Sequence, residues 1–448
     1  MNYMLNEKKE CELYEYVKNL PIIDYHNHLC ISDIKNNVKY TNIYDLWVKA
    51  DPYKHRVMRM CGISEELITG DASSLEKFKA WCSVYNKLIG SPLYIWSKAE
   101  LEDIFDIHID INSENAGKIY DEANDFLSSE NVDYDFFMNK FNILHACPCG
   151  SITDNAFVFE NDSRLSLSLR GDDMINPSKE FIKTLEKISL IEINDLEAYK
   201  RVLKNRVEAF AKSECTYSDH SLDSGFKFYA DDNKNDMRFK KILCGEKLSK
   251  ENSDRFASHM LLYLTCLYEK LNFTLQLHIG AERLLTSRLR NIVGPAGGFA
   301  TIGKSLSVTE LSTFFNEVEK KCALPKIILF PLNPSDYASI CTLSGSYSKD
   351  GVSGLITCGP AWWWCDHTYG IQSMLENISA FGLISNFVGM TTDSRSFLSF
   401  SRHDYFRRNI CRFIAKKLNE NEIAADENVI KKLLEDICFN NAKRTIKK

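Results

Sequence analysis

The stretch Pro21-Ile22-Ile23-Asp24-Tyr25-His26-Asn27-His28 decides the reading of this chain. Its β-branched start predicts a short strand over 21–26 that ends in a His-x-His pair. Seven further runs share that character: 143–149 (ILHACPC), 165–170 (LSLSLR), 215–220 (CTYSDH), 273–278 (FTLQLH), 326–330 (KIILF), 354–358 (GLITC) and 386–393 (NFVGMTTD). Helical patterns lie between them. In the clearest, Ser307-x-x-Glu310 reads as a capping box, and Leu311, Phe314, Phe315 and Val318 follow as an apolar stripe. Strands alternating with helices argue for parallel β-α units, and eight of them predict an α/β fold, a distorted (β/α)8 barrel of the TIM type. The first two strands are far apart. The intervening segment 36–142, rich in Tyr, Trp, Asp and Lys at helical spacing, is expected to be a helical insertion within a single domain spanning 1–448.

A chain of 448 residues with 44% apolar and 26% charged residues has ample core material for one large barrel. Acids exceed bases by 61 to 55, which offers no electrostatic reason to bind nucleic acid or an anionic membrane. The apolar runs are too short to cross a bilayer, and the N-terminus (MNYMLNEKKECELYEY) shows no apolar signal region. The expectation is a cytoplasmic protein without membrane or nucleic-acid partners. Fifteen cysteines occur without any C-x-x-C pair, so they are expected to be buried thiols.

In a β/α barrel the C-terminal strand ends converge on one face, where chemistry is built. Here the first strand ends in His26-x-His28, the third in Arg170 with Asp172 beyond, and the fourth in Asp219-His220. The fifth ends in His278, and the eighth in Asp393-x-Arg395. Two imidazoles and a carboxylate suit a borderline divalent cation such as Zn²⁺, so His26, His28 and Asp393 are the candidate metal ligands. The bland alternatives are hydrogen-bonded polar strand ends for the histidines, a turn or cap for Asp219-His220, and packing for Trp362-Trp363-Trp364, one of which could stack on a sugar. In the run 392–408, Ser401-x-x-Asp404 could cap a helix, while Arg407 and Arg408 read as a solvated, salt-bridged face.

Several stretches together resemble the uronate (glucuronate) isomerases of the amidohydrolase superfamily: IIDYHNHL, LWVKADPYKHRVMR, GDASSLEKFKAW, CTYSDHSLD, QLHIGAER, VGMTTDSRSFLSFSRHDYFRR and ICFNNA. They span nearly the whole chain. The resemblance implies an aldose–ketose isomerase that interconverts D-glucuronate with D-fructuronate, and D-galacturonate with D-tagaturonate. It implies a divalent metal, usually zinc, on His26, His28 and Asp393. It assigns proton transfer to Tyr53 and Arg395, and the substrate pocket to Arg170, Asp219, His278, Arg283 and Trp362. The chemistry requires a proton to leave C2 and return at C1 through an enediol, with the developing oxyanion stabilised. An arginine normally stays charged, so Tyr53 and Arg395 are expected to act together, with Asp393 taking a hydroxyl proton as the sugar ring opens. Arg170 or Arg283 would hold the C6 carboxylate. The sequence departs from the family pattern after the second strand, where Cys147-Pro148-Cys149-Gly150-Ser151 replaces a Thr-Thr-Asp-Asp-Pro run. It departs again at Gly171, where a proline is usual. The alternatives are a divergent or inactive homologue of the uronate isomerases and a metal-dependent hydrolase, the latter weakened by the lack of a histidine after the sixth strand (Phe330-Pro331-Leu332-Asn333). A barrel retained for partner binding is a third. A homo-oligomer is possible on either enzymatic reading.

Overall fold

The computed structural model describes residues 3–283, 285–294, 297–305 and 307–446. Seven parallel strands form one curled sheet in simple chain order: β1 (Ile22–Asn27), β2 (Ile143–Ser151), β3 (Ser168–Arg170), β4 (Tyr217–Leu222), β5 (Thr274–Ile279), β6 (Ile327–Pro331) and β7 (Ile356–Cys358). Each sits on one of the sequence-predicted runs. β4 and β5 pair in continuous register from Tyr217↔Thr274 to Leu222↔Ile279, and β5 continues evenly onto β6. Helices cover the outside. The Ser307 hydroxyl caps the helix Val308–Glu319 through the Glu310 N–H, and Leu311, Phe314, Phe315 and Val318 are all buried. A second apolar cluster plugs the barrel interior, with Ile23, Tyr25, Cys147, Tyr217, Ile328, Phe330, Trp362 and Val388 meeting across it.

The eighth expected strand, 386–393, is not one. Residues 384–386 form a short 3-10 turn, and the chain then runs irregularly to Ser396. Two left-handed residues forbid a ladder here, Gly389 at φ 84° and Asp393 at φ 48°. Gly389 is required, because any Cβ would collide with the carbonyl of Ile437 in the C-terminal helical turn. The segment still fills the place of a strand. Tyr25 donates to the Gly389 carbonyl (2.9 Å), the Asp393 N–H bonds the His26 carbonyl (3.1 Å), and the His28 N–H bonds the Ser394 carbonyl (2.8 Å). On its other side, Asn441 donates to the carbonyls of Ser385 and Phe387.

Between β1 and β2 the chain is helical, including Pro52–Met60, Ser74–Val84, Pro92–Phe105 and Ala116–Ser129. Three expectations about side chains fail. Cys266 and Cys322 form a disulfide across 56 residues, which tertiary packing of a helix against a loop produces and no local spacing signals. Cys11, Cys30 and Cys244 are exposed. Arg407 is buried, donating to the carbonyls of Lys18, Leu20 and Pro21 at the entry to β1. Arg408, also buried, binds Asp404 and Tyr14. Ser401 precedes the helix Arg402–Asn419 but its side chain makes no cap. Among the described residues no helix is long and apolar enough to cross a membrane.

Candidate active site

His26 lies near the C-terminal end of β1, where the register against β2 slips between Asp24 and Asn27. Regular alternation would send Tyr25 and His26 to opposite faces. Here both rings face the interior, Tyr25 against Tyr217 and His26 against His278 and Phe330. The slip therefore turns His26 toward the mouth, and His28 follows just beyond the strand. Their Nε2 atoms lie 3.5 and 3.1 Å from one oxygen, Oδ1 of Asp393. The other Asp393 oxygen is buried without a hydrogen-bond partner. The left-handed backbone at Asp393, a conformation aspartate tolerates better than most residues, aims the carboxylate at the two rings.

A second carboxylate fixes this geometry. Asp24, fully buried, accepts hydrogen bonds from the Thr392 N–H (2.7 Å), the hydroxyls of Thr392 (2.8 Å) and Thr391 (3.0 Å), and Asn27 (2.9 Å). His403 Nε2 adds a contact at 3.2 Å. Burial alone would raise the Asp24 carboxyl, but His403 and Thr392 outweigh it and hold it below the ordinary range. Thr391 Oγ1 also accepts from the His26 N–H (2.8 Å). Asp24 thus ties β1, the irregular segment and the helix Arg402–Asn419 together. Sequence reasoning passed over it, although Asp24 and the Thr391-Thr392 pair were the signal.

Burial would lower the His26 and His28 imidazoles, yet the facing Cys149 and Asp393 raise both. Asp393 itself, despite its burial, is held well below the carboxylate range by the two rings. The cluster favours positive charge at its centre. With the convergent Nε2 atoms and the unpartnered Asp393 oxygen, that fits a divalent cation.

Around this cluster stand most of the residues expected at the mouth. Asp219 of β4, buried, lies beside the site with Oδ1 unpartnered. Its Oδ2 is 3.8 Å from His278 Nδ1 and 3.9 Å from Arg170. Ligand atoms of His26, Asp219 and His278 all fall within 4.8 Å of one another. His278 is stacked on Phe330 and edge-on to Trp362, and burial with the neighbouring His26 keeps it neutral, well below its usual value. Trp362 spends its indole N–H on the Phe330 carbonyl (3.2 Å). Arg170, at the end of β3, pairs with Asp172 at 2.9 Å. His220 is not a cap but part of β4, bonded to the Tyr268 hydroxyl at 3.0 Å. Its ring fills the space a Cβ at position 171 would need, which explains Gly171. Arg283 is held by Asp223 (2.8 Å) and Ser221 (2.9 Å), over the ring of Trp363. No histidine stands at the end of β6.

Tyr53 reaches the barrel from the helix Pro52–Met60, which Asp51 caps through the Tyr53 and Lys54 N–H groups with Pro52 in the first turn. The helix packs so closely on Gly298 that a Cβ there would strike the Pro52 carbonyl. The Tyr53 hydroxyl donates to Asp366 (3.1 Å), and the Arg402 guanidinium lies over its ring, 3.5 Å from the same carboxylate. Burial pushes the Asp366 carboxyl up to about 7 against the lowering pull of Arg402, and burial with Asp366 drives the Tyr53 phenol well above its usual value. Arg395 is half-buried two residues from Asp393. Among the described residues it makes no ion pair and no bond to Tyr53. Asp366 and Arg402, neither expected from the sequence, are the partners Tyr53 has.

A model of the glucuronate isomerase family matches residues 1–446. The chain belongs to that family. It is 36% identical to the uronate isomerase of Brachyspira hyodysenteriae, covering 98% of this chain and 97% of that one. To the uronate isomerase of Oceanobacillus iheyensis it is 34% identical, covering 99% and 96%. The crystal structure of uronate isomerase from Thermotoga maritima superposes with a TM-score of 0.91 at 26% identity, over 99% of this chain and 98% of that one. Glucuronate isomerase from Caulobacter crescentus shares the fold (TM-score 0.89, 22% identity, 98% and 93% covered). Family membership accounts for the barrel.

Proposed function

We propose that this protein is a uronate isomerase, interconverting D-glucuronate with D-fructuronate and D-galacturonate with D-tagaturonate, with Zn²⁺ as its resident cation. The observation that supports this reading best is the meeting of His26, His28 and Asp393 on one carboxylate oxygen beside a buried tyrosine–carboxylate pair. The cation, held by those three residues, supplies Lewis-acid stabilisation of negative charge developing on the substrate's carbonyl oxygen.

The chain's own groups divide the rest of the work. Tyr53 is too strongly held as a phenol to serve as a free phenolate base. With its proton directed at Asp366, it instead takes the C2 proton on Oη while passing its own to that carboxylate. The reverse shuttle delivers a proton to C1 while the C2 hydroxyl proton passes to O1 within the enediol, which leaves the C2 ketone and closes the isomerisation. A carboxyl near 7 is matched to such exchange at neutral pH. Asp393, through its unpartnered oxygen, accepts the ring hydroxyl proton as the C1–O5 bond breaks and returns it to the departing ring oxygen. Arg395 acts with Tyr53 as the guanidinium that holds a substrate oxyanion, not as a base. Arg170 and Arg283 are the candidates for the C6 carboxylate, and Asp219, His278 and Trp362 orient the hydroxyl-bearing face. The substrate is thus a small-molecule hexuronate.

The test is to incubate the metal-replete protein with D-glucuronate or D-galacturonate in D₂O and follow the ketose and the C2 proton by nuclear magnetic resonance. Ketose formation with exchange at C2 is expected. Silence on both uronates, with turnover of a lactone or amide, would replace the isomerase with a hydrolase.

A further inference from the structure

Cys149 has no role in the mechanism above, yet it stands at the cation cluster. It lies in β2 two residues beyond Cys147, which belongs to the interior plug, so it occupies the same face one layer nearer the mouth. Its Sγ is 3.6 Å from His26 Nδ1 and 3.8 Å from His26 Nε2. Ligand atoms of His26, His28 and Cys149 all lie within 4.8 Å of one another. Near-equal distances to both ring nitrogens place the sulfur off the axis of either, a poor alignment for a thiol hydrogen bond.

The spacing suits coordination better. For a tetrahedral zinc with bonds of about 2.0–2.1 Å to nitrogen and oxygen and about 2.3 Å to sulfur, ligand-to-ligand edges are roughly 3.3 Å for N/O pairs and about 3.5 Å for N/S pairs. Three of the six edges here are 3.5 and 3.1 Å for the two Nε2–Asp393 pairs and 3.8 Å from His26 Nε2 to the sulfur, and a cation would draw Asp393 and the His26, His28 and Cys149 set together.

We propose that Cys149 is a fourth protein ligand to the divalent cation, bound as a thiolate. This rests on the reading of His26, His28 and Asp393 as a cation site. On binding, the Sγ–metal bond forms, the thiol proton passes to solvent, and no electron changes hands. A soft sulfur in the set biases the site toward zinc-like cations and against Mg²⁺ or Mn²⁺, whose preferred partners are oxygens.

The experiment loads the full-length chain with one equivalent of Co²⁺ and records its absorption, alongside Cys149→Ser. A thiolate-to-cobalt charge-transfer band in the near-ultraviolet that disappears in Cys149→Ser is expected. Cys149→Ser should also lose about tenfold or more in Zn²⁺ affinity, with Mn²⁺ affinity little changed. X-ray absorption at the zinc edge of the unaltered protein should show one sulfur at about 2.3 Å, a measurement that needs no variant to fold. Stoichiometric Co²⁺ without the charge-transfer band, a band that survives the substitution, or a zinc shell free of sulfur would overturn the thiolate while leaving the cation site standing. Failure of the unaltered protein to bind either ion would overturn both.

Discussion

The arc of the sheet from β3 to β6 and the seam between β1 and the segment 386–396 build the same wall by opposite means. In the arc, backbone ladders run in unbroken register. In the seam the register slips, two residues adopt left-handed backbone, and side chains (Asp24, Thr391, Thr392, Tyr25) replace much of the ladder. The arc contributes Asp219 and His278 to the mouth, while the seam contributes His26, His28 and Asp393 from the two ends of the chain. A continuous ladder sends neighbouring side chains to opposite faces, so turning His26 inward as well as Tyr25 takes an interruption of the ladder.

The comparison can be broken most decisively at Asp393. Asp393→Asn keeps the size and the tolerance for left-handed backbone but removes the charge. Metal content by elemental analysis should collapse, and turnover should fall on the order of 10³-fold. Next comes Asp24→Ala, which strands the groups gathered on that carboxylate. Denaturant titration should show a loss of about 3 kcal/mol, together with weaker metal binding. Leu277→Ala, in the arc, should cost a similar amount through a core cavity, about 2–5 kcal/mol, yet leave metal affinity intact in the folded protein. If both variants lose metal alike, the distinction between arc and seam fails.

Smaller effects sharpen the seam's chemistry. Asp366→Asn and Tyr53→Phe should each lower kcat roughly 10²-fold without altering metal content. The Asp366 change should also remove an ascending limb of the kcat–pH profile near 7, since the carboxyl must be ionised to receive the Tyr53 proton. If Tyr53→Phe and Arg395→Lys both keep near-normal turnover, the proton path is wrong. The mildest prediction concerns acid. Asp24 has a folded-state pKa below its unfolded one, so its stabilisation is complete above about pH 4 and disappears as pH falls through the folded value. Acid should loosen the seam, followed by tyrosine and tryptophan fluorescence, and Asp24→Asn should abolish that contribution.

The arc was legible because its strands are apolar runs that end in polar groups, a pattern carried by neighbouring residues. The ligand trio was legible for a related reason: His26-x-His28 and Asp393 sit at the ends of such runs. The eighth strand misled because Val388, Thr391 and Thr392 have strand-like side chains, while Gly389 and Asp393 set the backbone otherwise. Asp366, Arg402 and the Cys266–Cys322 bond stayed hidden because each depends on partners distant in sequence. Arg407 looked solvated because charged residues on helices usually are, and only the approach of β1 buries it.

The position of Asp24 has a consequence for how the protein is made. Its threonine partners are translated 367 and 368 residues after it, so the emerging chain exposes the Asp24 side of β1 long before those partners can close over it. Folding is therefore governed by a late, long-range closure, the kind that is slow and vulnerable to aggregation. A product terminated before Thr391 retains both histidines and every arc strand, yet lacks Asp393. Competence for the reaction is in effect a certificate that synthesis passed position 393.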